Sequence, residues 1–435
     1  MTALTPIRTK AETALMAQFD ALRGELPKGG PGKGDAGKAS REAAMAAFAT
    51  RGLPHRRVEA YHYTDLRNLL REAAPLARLP SGKAGRSVEA GRFLGDLSAH
   101  EIIIINGRLM DAANLASQLP KGVRVATTSD TAPTILDEND AVVALNTALS
   151  RETVTLEIAK RVKIERPLHI AFLQDAGAPQ AVYGRLNVLV GEGASVTLLE
   201  THEGPNGIAT QSNIGVEIAA GDGASVEHVR VNAEGDKAFS LSSLGLSLGR
   251  GTSALSLNLI LGSLVSRHQI LARFAGEGAK LNLNGVGMLD GDRHGDVTLV
   301  VDHAVPGGES RELFKTAVDQ RANGVFQGKI IVRPHAQKTD GKMMSAALLL
   351  SEDASMNNKP ELEIFADDVQ CGHGATCGAL DDNLLFYLMA RGIPRPDAQA
   401  LLIRSFLGEA IEELSSEELR EALGGLIDGW LMRRA

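Results

Sequence analysis

The chain has 435 residues, 44% hydrophobic and 23% charged, which is ordinary for a folded protein and more than one typical core accommodates. Its net charge of −7 leaves no basic footprint for DNA or RNA. Two cysteines cannot staple so long a chain and suit a reducing compartment, and with no leading apolar segment or run of 18 apolar residues the expectation is a cytoplasmic protein without a membrane span.

In chain order, Leu15, Phe19, Leu22 and Leu26 recur at helical spacing between Thr9 and Leu26, and Pro27 closes that helix. The glycine-rich stretch 28–40 reads as a flexible loop. It contains Gly32-x4-Gly37-Lys38, the beginning of a phosphate-binding loop. Ala39 stands where a hydroxyl must reach magnesium, and no strand precedes it, so nucleotide binding is rejected. A second helix is expected over Arg41–Thr50, followed by the aromatic-rich segment Pro54–Leu66.

Beyond Ile102 the pattern becomes short alternating strands punctuated by Gly-x-Gly-Ala or a near variant. The punctuation recurs at Gly191, Gly221, Gly249 and Gly276, at intervals of 30, 28 and 27 residues. Such a period signals stacked units that bury a core only against their neighbours. A β-sandwich also has alternating strands, but its turns need not recur in one chemical form. The expected fold is mainly β, a right-handed parallel β-helix over 99–377, flanked by α-helical domains at 1–98 and 378–435.

After Gly378 the period returns to 3.6. Ile403, Phe406, Leu407, Ala410, Ile411 and Leu414 form one stripe, with Pro396-Asp397 as its start signal. Ser415-Ser416-Glu417-Glu418 then reads as a capping box before a stripe of Leu419, Leu423, Leu426, Ile427, Trp430 and Leu431.

Two clusters carry candidate chemistry. In Phe365–Gly378, Cys371 and His373 lie two apart, so an extended backbone turns both to one face, where thiolate and imidazole could share a metal. A closed site needs four ligands, and Cys377 is the one further cysteine nearby; an open half-site completed by another chain would explain the shortage. In Leu289–His303, Asp290, Asp292, His294 and Asp296 share one parity, with Asp302 and His303 close behind. Gly291 and Gly295 favour a turn role for these acids. The alternative is a β-helical carbohydrate-active enzyme that uses the acids of 290–302 to hold calcium or activate water. The lack of an export signal and of aromatic sugar platforms weighs against it.

The run from Asp302 to Leu407, with its SRELFKTAVDQRANGVFQGKIIV, KTDGKMMSAALLLSEDASMNNKPELEIFADDVQCGHGATCG and LLFYLMARGI, resembles the SufB/SufD family of iron–sulfur cluster assembly proteins. Pro54–Leu66 is similar to that family's amino-terminal signature, with Tyr61 where a tryptophan is common. The resemblance implies a non-catalytic scaffold on the SufD side of the family, since the SufB paralogue is expected to bring more cysteines. It implies pairing with SufB as a heterodimer, a homodimer being open to the isolated chain, and coupling to the SufC ATPase. By the same resemblance His373, and more weakly Cys371, sit where a nascent iron–sulfur cluster or iron is shared with SufB, with nothing held tightly by this chain alone. Cys377 is expected to be a packing residue. Asp292, His294, Asp296 and His303 remain a secondary polar cluster. The helices after Gly378 are expected to dock SufC through Leu385, Tyr387, Ile403 and Phe406.

Overall fold

The computed structural model describes residues 8–25, 35–78, 80 and 93–434. Two long sheets dominate, one of ten strands and one of nine, and from Thr153–Ile158 onward consecutive strands of the chain alternate between them. From Leu168–Leu173 to Gln370–Gly378 every neighbouring pair within a sheet is parallel and in continuous register. The expected parallel β-helix is therefore the observed fold, each coil contributing one strand to each sheet.

The repeated glycines have two separate causes. The second glycine of each turn, at Gly193, Gly223, Gly251 and Gly278, has φ between 61° and 67°, a region that penalises a side chain. The first glycine has a negative φ, but a Cβ there would strike the backbone of the preceding coil, at 2.6 Å from Lys160 N for Gly191 and 2.9 Å from Glu192 N for Gly221. One glycine makes the corner, and the other lets the coils stack.

The helices cover the outer faces. At the amino-terminal side, α1 (Lys10–Glu25), α2 (Asp35–Arg51) and the single turn α3 (Leu66–Leu69) precede the sheets. The helical start at Asp35 corrects the expected loop at 28–40: its last six residues are helical, and 28–34 lie outside the described residues, as does Leu26. Gly37 is needed there because a Cβ would meet Ser129 O at 2.5 Å. Between the first strands lie α4 (Ala112–Gln118) and α5 (Ala141–Leu149). All nine residues of α5 are buried, and Asp140 caps it by accepting from Val142 N and Val143 N. Leu15, Phe19, Leu22, Phe48 and Tyr61 pack with α5 and Leu241 against the outer face of the nine-stranded sheet.

The carboxy-terminal helices are α6 (Asp382–Ala390), α7 (Arg395–Gly408) and α8 (Glu417–Arg434). The stripe expected to run as one helix to Leu414 changes to a 3-10 turn over Glu409–Ile411. The capping box also differs. Ser416 alone caps α8, accepting from Leu419 N at 3.2 Å, while the Ser415 backbone and hydroxyl bond Glu227 of the solenoid. Ile403, Leu407, Leu423, Ile427 and Trp430 close over Leu199, Val229, Val231, Leu257 and Leu259 on the outer face of the ten-stranded sheet. The apolar stripes of α7 and α8 are consumed in this packing.

Candidate functional site

The two ends of the solenoid differ. At the first end, Arg108–Leu109 and Val123–Thr128 pair antiparallel with the opening strands, and Leu115 of α4 enters the interior core. At the far end, Ser355–Ile364 and Gln370–Gly378 are the terminal strands of their sheets, and no strand pairs with their outer edges among the described residues. Backbone N–H and C=O groups on such edges are ready to pair with another chain.

Cys371 and His373 stand on the second of these strands. In register, Cys371 follows Gly341 and His373 follows Met343. Met343 is 2% exposed and belongs to the interior core, and Cys371 packs against that same core. The pair therefore faces inward, as strand alternation requires, and no further coil covers it. His373 is exposed and Cys371 half-buried. Burial pushes the Cys371 thiol up, with Asp340 and Glu312 adding to the effect and the Gly341 backbone opposing it. Cys377 is exposed, and its Sγ accepts from Asn358 Nδ2 at 3.4 Å. It fills no space inside this chain, contrary to the packing role expected of it. Among the described residues no three His, Cys, Asp or Glu side chains are grouped to hold a metal. The end offers two soft donors on an unpaired edge.

The secondary polar cluster is taken apart by the fold. Asp290 accepts from Trp430 Nε1 at 2.8 Å and pairs with Arg293, which fastens α8 to a corner. Asp292 sits in that turn and binds the Arg321 guanidinium through both oxygens at 2.8 and 2.9 Å. His294 lies between Thr64 Oγ1 and Asn323 Nδ2, each at 2.9 Å, and burial lowers its pKa. Asp296 is fully buried beneath the amino-terminal segment, paired with Arg267 and Thr64 and accepting from Thr298 at 2.8 Å. Asp302 is held by Arg333 at 2.8 Å. His303 has the other parity and points into the core, stacked 4.1 Å from Phe274 and bonded to Ser310 at 3.0 Å. These acids are occupied as corner fasteners and as a buried clamp, and they converge on no common point.

That clamp was missed in the sequence, though its residues lie in the aromatic segment noted there. The Tyr61 ring lies 4.0 Å from the Arg267 guanidinium carbon, and its hydroxyl donates to Asp140 at 2.6 Å. Arg267 and Gln327 both donate to Ala60 O, at 2.8 and 3.1 Å. The segment is thereby strapped to the nine-stranded sheet.

On the carboxy-terminal helices, Leu385 is 3% exposed and Ile403 is fully buried, so neither can meet a partner directly. Phe406 is half-buried under the Lys315 ammonium at 4.7 Å. Tyr387 is exposed, as are Leu384, Phe386 and Met389 of the same helix and Leu401 of α7, with Phe386 71% exposed. Their signal was present in DNLLFYLMA, an apolar run on every side of α6, which a helix buried on one face does not need.

These features define an uncapped end, a clamp and an exposed helix on one scaffold, and comparison with known proteins identifies the class. Residues 172–406 match the family described as SUF system FeS cluster assembly, SufBD core domain, and residues 33–170 match the SufBD protein N-terminal region. The chain belongs to the SufBD family of iron–sulfur cluster assembly proteins. It is 29% identical over 377 residues to the iron–sulfur cluster assembly protein SufD of Escherichia coli, covering 85% of this chain and 87% of that one. It is 28% identical over 407 residues to a SufBD family protein of Synechocystis, 88% of each chain. A third relative, SufD of Bacillus subtilis, is 28% identical over 290 residues, 66% of this chain and 65% of that one. No helix among the described residues is long and apolar enough to cross a membrane.

Proposed function

We propose that this protein is the non-catalytic SufD-type subunit of a cytoplasmic assembly complex, pairing with a SufB-type chain through its open end and coupling to a SufC-type ATPase through α6. The observation that carries this reading is the uncapped coil that presents His373 and Cys371 on an unpaired strand edge. The His373 ring nitrogen and the Cys371 sulfur, which gives up its proton to the metal on binding, supply two of the ligands that iron or a nascent cluster requires, and a facing chain supplies the remainder. The cluster is cargo held at the shared edge. The exposed apolar face around Phe386 and Tyr387 suits a partner that closes on it, and α7 and α8, packed over the ten-stranded sheet, transmit the resulting movement to the solenoid.

The test is co-purification with the cognate SufB and SufC, followed by anaerobic iron and sulfide analysis of wild type and His373→Ala. The expected outcome is an intact complex holding less cluster in the variant. Loss of the complex instead would assign His373 to the interface alone, and unchanged iron and sulfide would remove it from the site.

A further inference from the structure

A cavity separates α1 from residues 73–78. Leu15, Phe19 and Leu22 turn one face of α1 into the packing with α5, which leaves Gln18 half-buried and Ala21 exposed at the edge of that face. Residues 73–78, of sequence AAPLAR, run beside the solenoid. Ala77 N donates to Ala181 O and Ala181 N to Pro75 O, each at 2.8 Å, so this segment pairs parallel with the start of the strand Ala181–Val190. Gln18 Nε2 donates to Ala74 O at 2.8 Å and ties α1 to it. Alanine at 21, 73 and 77 leaves the space between the two elements unfilled, and a cavity of about 580 Å³ remains. Small-molecule sites usually fall within about 300–1,000 Å³.

The lining is of two kinds. Ala21, Leu22, Pro75 and Leu76 supply an apolar wall, and Arg78 and Arg151 add two cationic residues to the same cavity. Their backbones are fixed by neighbouring elements: Asn106 Nδ2 donates to Arg78 O at 3.2 Å, and Arg41 Nη2 donates to Arg151 O at 3.0 Å. Among the described residues no Asp or Glu lines the cavity. Glu152, next in sequence to Arg151, is turned to the hairpin, where its Oε1 accepts from Leu109 N at 3.0 Å. Like charges on one wall repel, and an anion between them removes the repulsion. Guanidinium groups match carboxylate and phosphate oxygens in particular, because two parallel N–H groups reach both oxygens of one head.

The cavity also has a direction. Gln18, bonded to Ala74, keeps an Oε1 that has no hydrogen-bond partner, and this acceptor opposes an anionic head. Arg78 stands four residues beyond Ala74, about 13 Å along an extended chain. Acceptor and cations therefore mark separate ends, with the apolar wall between them. A bare inorganic ion makes no use of that wall, and a hydrocarbon makes no use of the arginines. A molecule with one anionic end and an apolar body uses both.

We infer that the cavity between α1 and residues 73–78 binds a small organic acid. Arg78, with Arg151 beside it, holds the anionic oxygens of the head, and the body lies against Ala21, Leu22, Pro75 and Leu76. Such a ligand bridges α1 to the segment that borders the solenoid. The inference does not rest on the iron–sulfur assembly reading and stands or falls apart from it.

A bromonaphthoate and the corresponding neutral bromonaphthol, titrated calorimetrically into the full chain at neutral pH, test the site, and anomalous diffraction at the bromine edge from crystals soaked in the acid locates it. The expected result is a bromine peak against Ala21 and Pro75, with affinity for the acid about tenfold or more above that for the naphthol. Arg78→Gln should remove that preference and leave the naphthol unaffected. Ala21→Trp, which fills the apolar end, should abolish binding of both. Ala21 and Arg78 are exposed, so neither substitution disturbs the core, and unchanged melting temperatures check this. No peak in the cavity, equal affinity for acid and naphthol, or naphthoate binding unchanged in either variant overturns the proposal.

Discussion

The two faces of the solenoid wall solve one problem in opposite ways. On the nine-stranded sheet, the outward residues that meet the amino-terminal strap are polar and precisely paired: Arg267 and Asp296, with Thr64 and Tyr61 above them. On the ten-stranded sheet, the outward residues that meet α7 and α8 are apolar, Leu199, Val229 and Leu257 among them. Hydrophobic packing tolerates a variety of shapes, whereas a buried ion pair is worth its desolvation only when every member is present. The first interface is therefore brittle to single changes and the second is graded.

The largest expected effect comes from breaking the clamp. Asp296→Ala leaves Arg267 buried without its partner and should cost about 3–5 kcal/mol, measured as the shift in denaturant midpoint at constant m. A loss under about 1 kcal/mol would mean that the strap leaves the sheet and hydrates the arginine. Leu257→Ala, on the apolar side, should cost about 2–5 kcal/mol, the amount rising with the cavity that remains.

A second effect depends on pH. Glu312 is an interior carboxyl, and burial raises its pKa to about 8, with Ser310 and Arg311 pulling the other way. The folded state thus binds this proton more tightly than the unfolded state. Its contribution is fully present below the ordinary carboxyl range and is lost as pH rises towards 8. Glu312→Gln should flatten that decline and stabilise the protein by on the order of 3 kcal/mol at pH 8, with little change near pH 4. Unfolding midpoints compared at the two pH values decide it, and equal shifts at both would reject the linkage.

These contrasts explain how much of the molecule was legible in the sequence. The coils were readable because each glycine of the repeat answers a steric demand that recurs at every turn. The polar residues inside the solenoid, Glu200 among them, were not. Period two in SVTLLETHE puts Glu200 on the face of Val196 and Leu198 and Leu199 on the other, so residue type and alternation conflict there; the outer face is itself covered, and Leu199 packs outward while Glu200 points in. Helix α5 was missed for a related reason, since AVVALNTAL is buried on all sides and shows no stripe. For the candidate site, the shared face of Cys371 and His373 followed from period two. That the strand ends a solenoid required the whole topology.

The smallest expected effect on stability belongs to α6, where folding and binding separate. Phe386 is 71% exposed and Leu385, its neighbour in sequence, is 3% exposed. Phe386→Ser removes no interior contact and should change stability by less than about 0.5 kcal/mol, while Leu385→Ser places a hydroxyl in an apolar site and should cost about 1–3 kcal/mol. If α6 is the docking face, the two substitutions also differ in binding: Phe386→Ser should weaken capture of the ATPase at unchanged melting temperature. A pull-down in which Phe386→Ser binds like wild type would return the exposed face of α6 to the solvent and move the docking surface elsewhere on the carboxy-terminal helices.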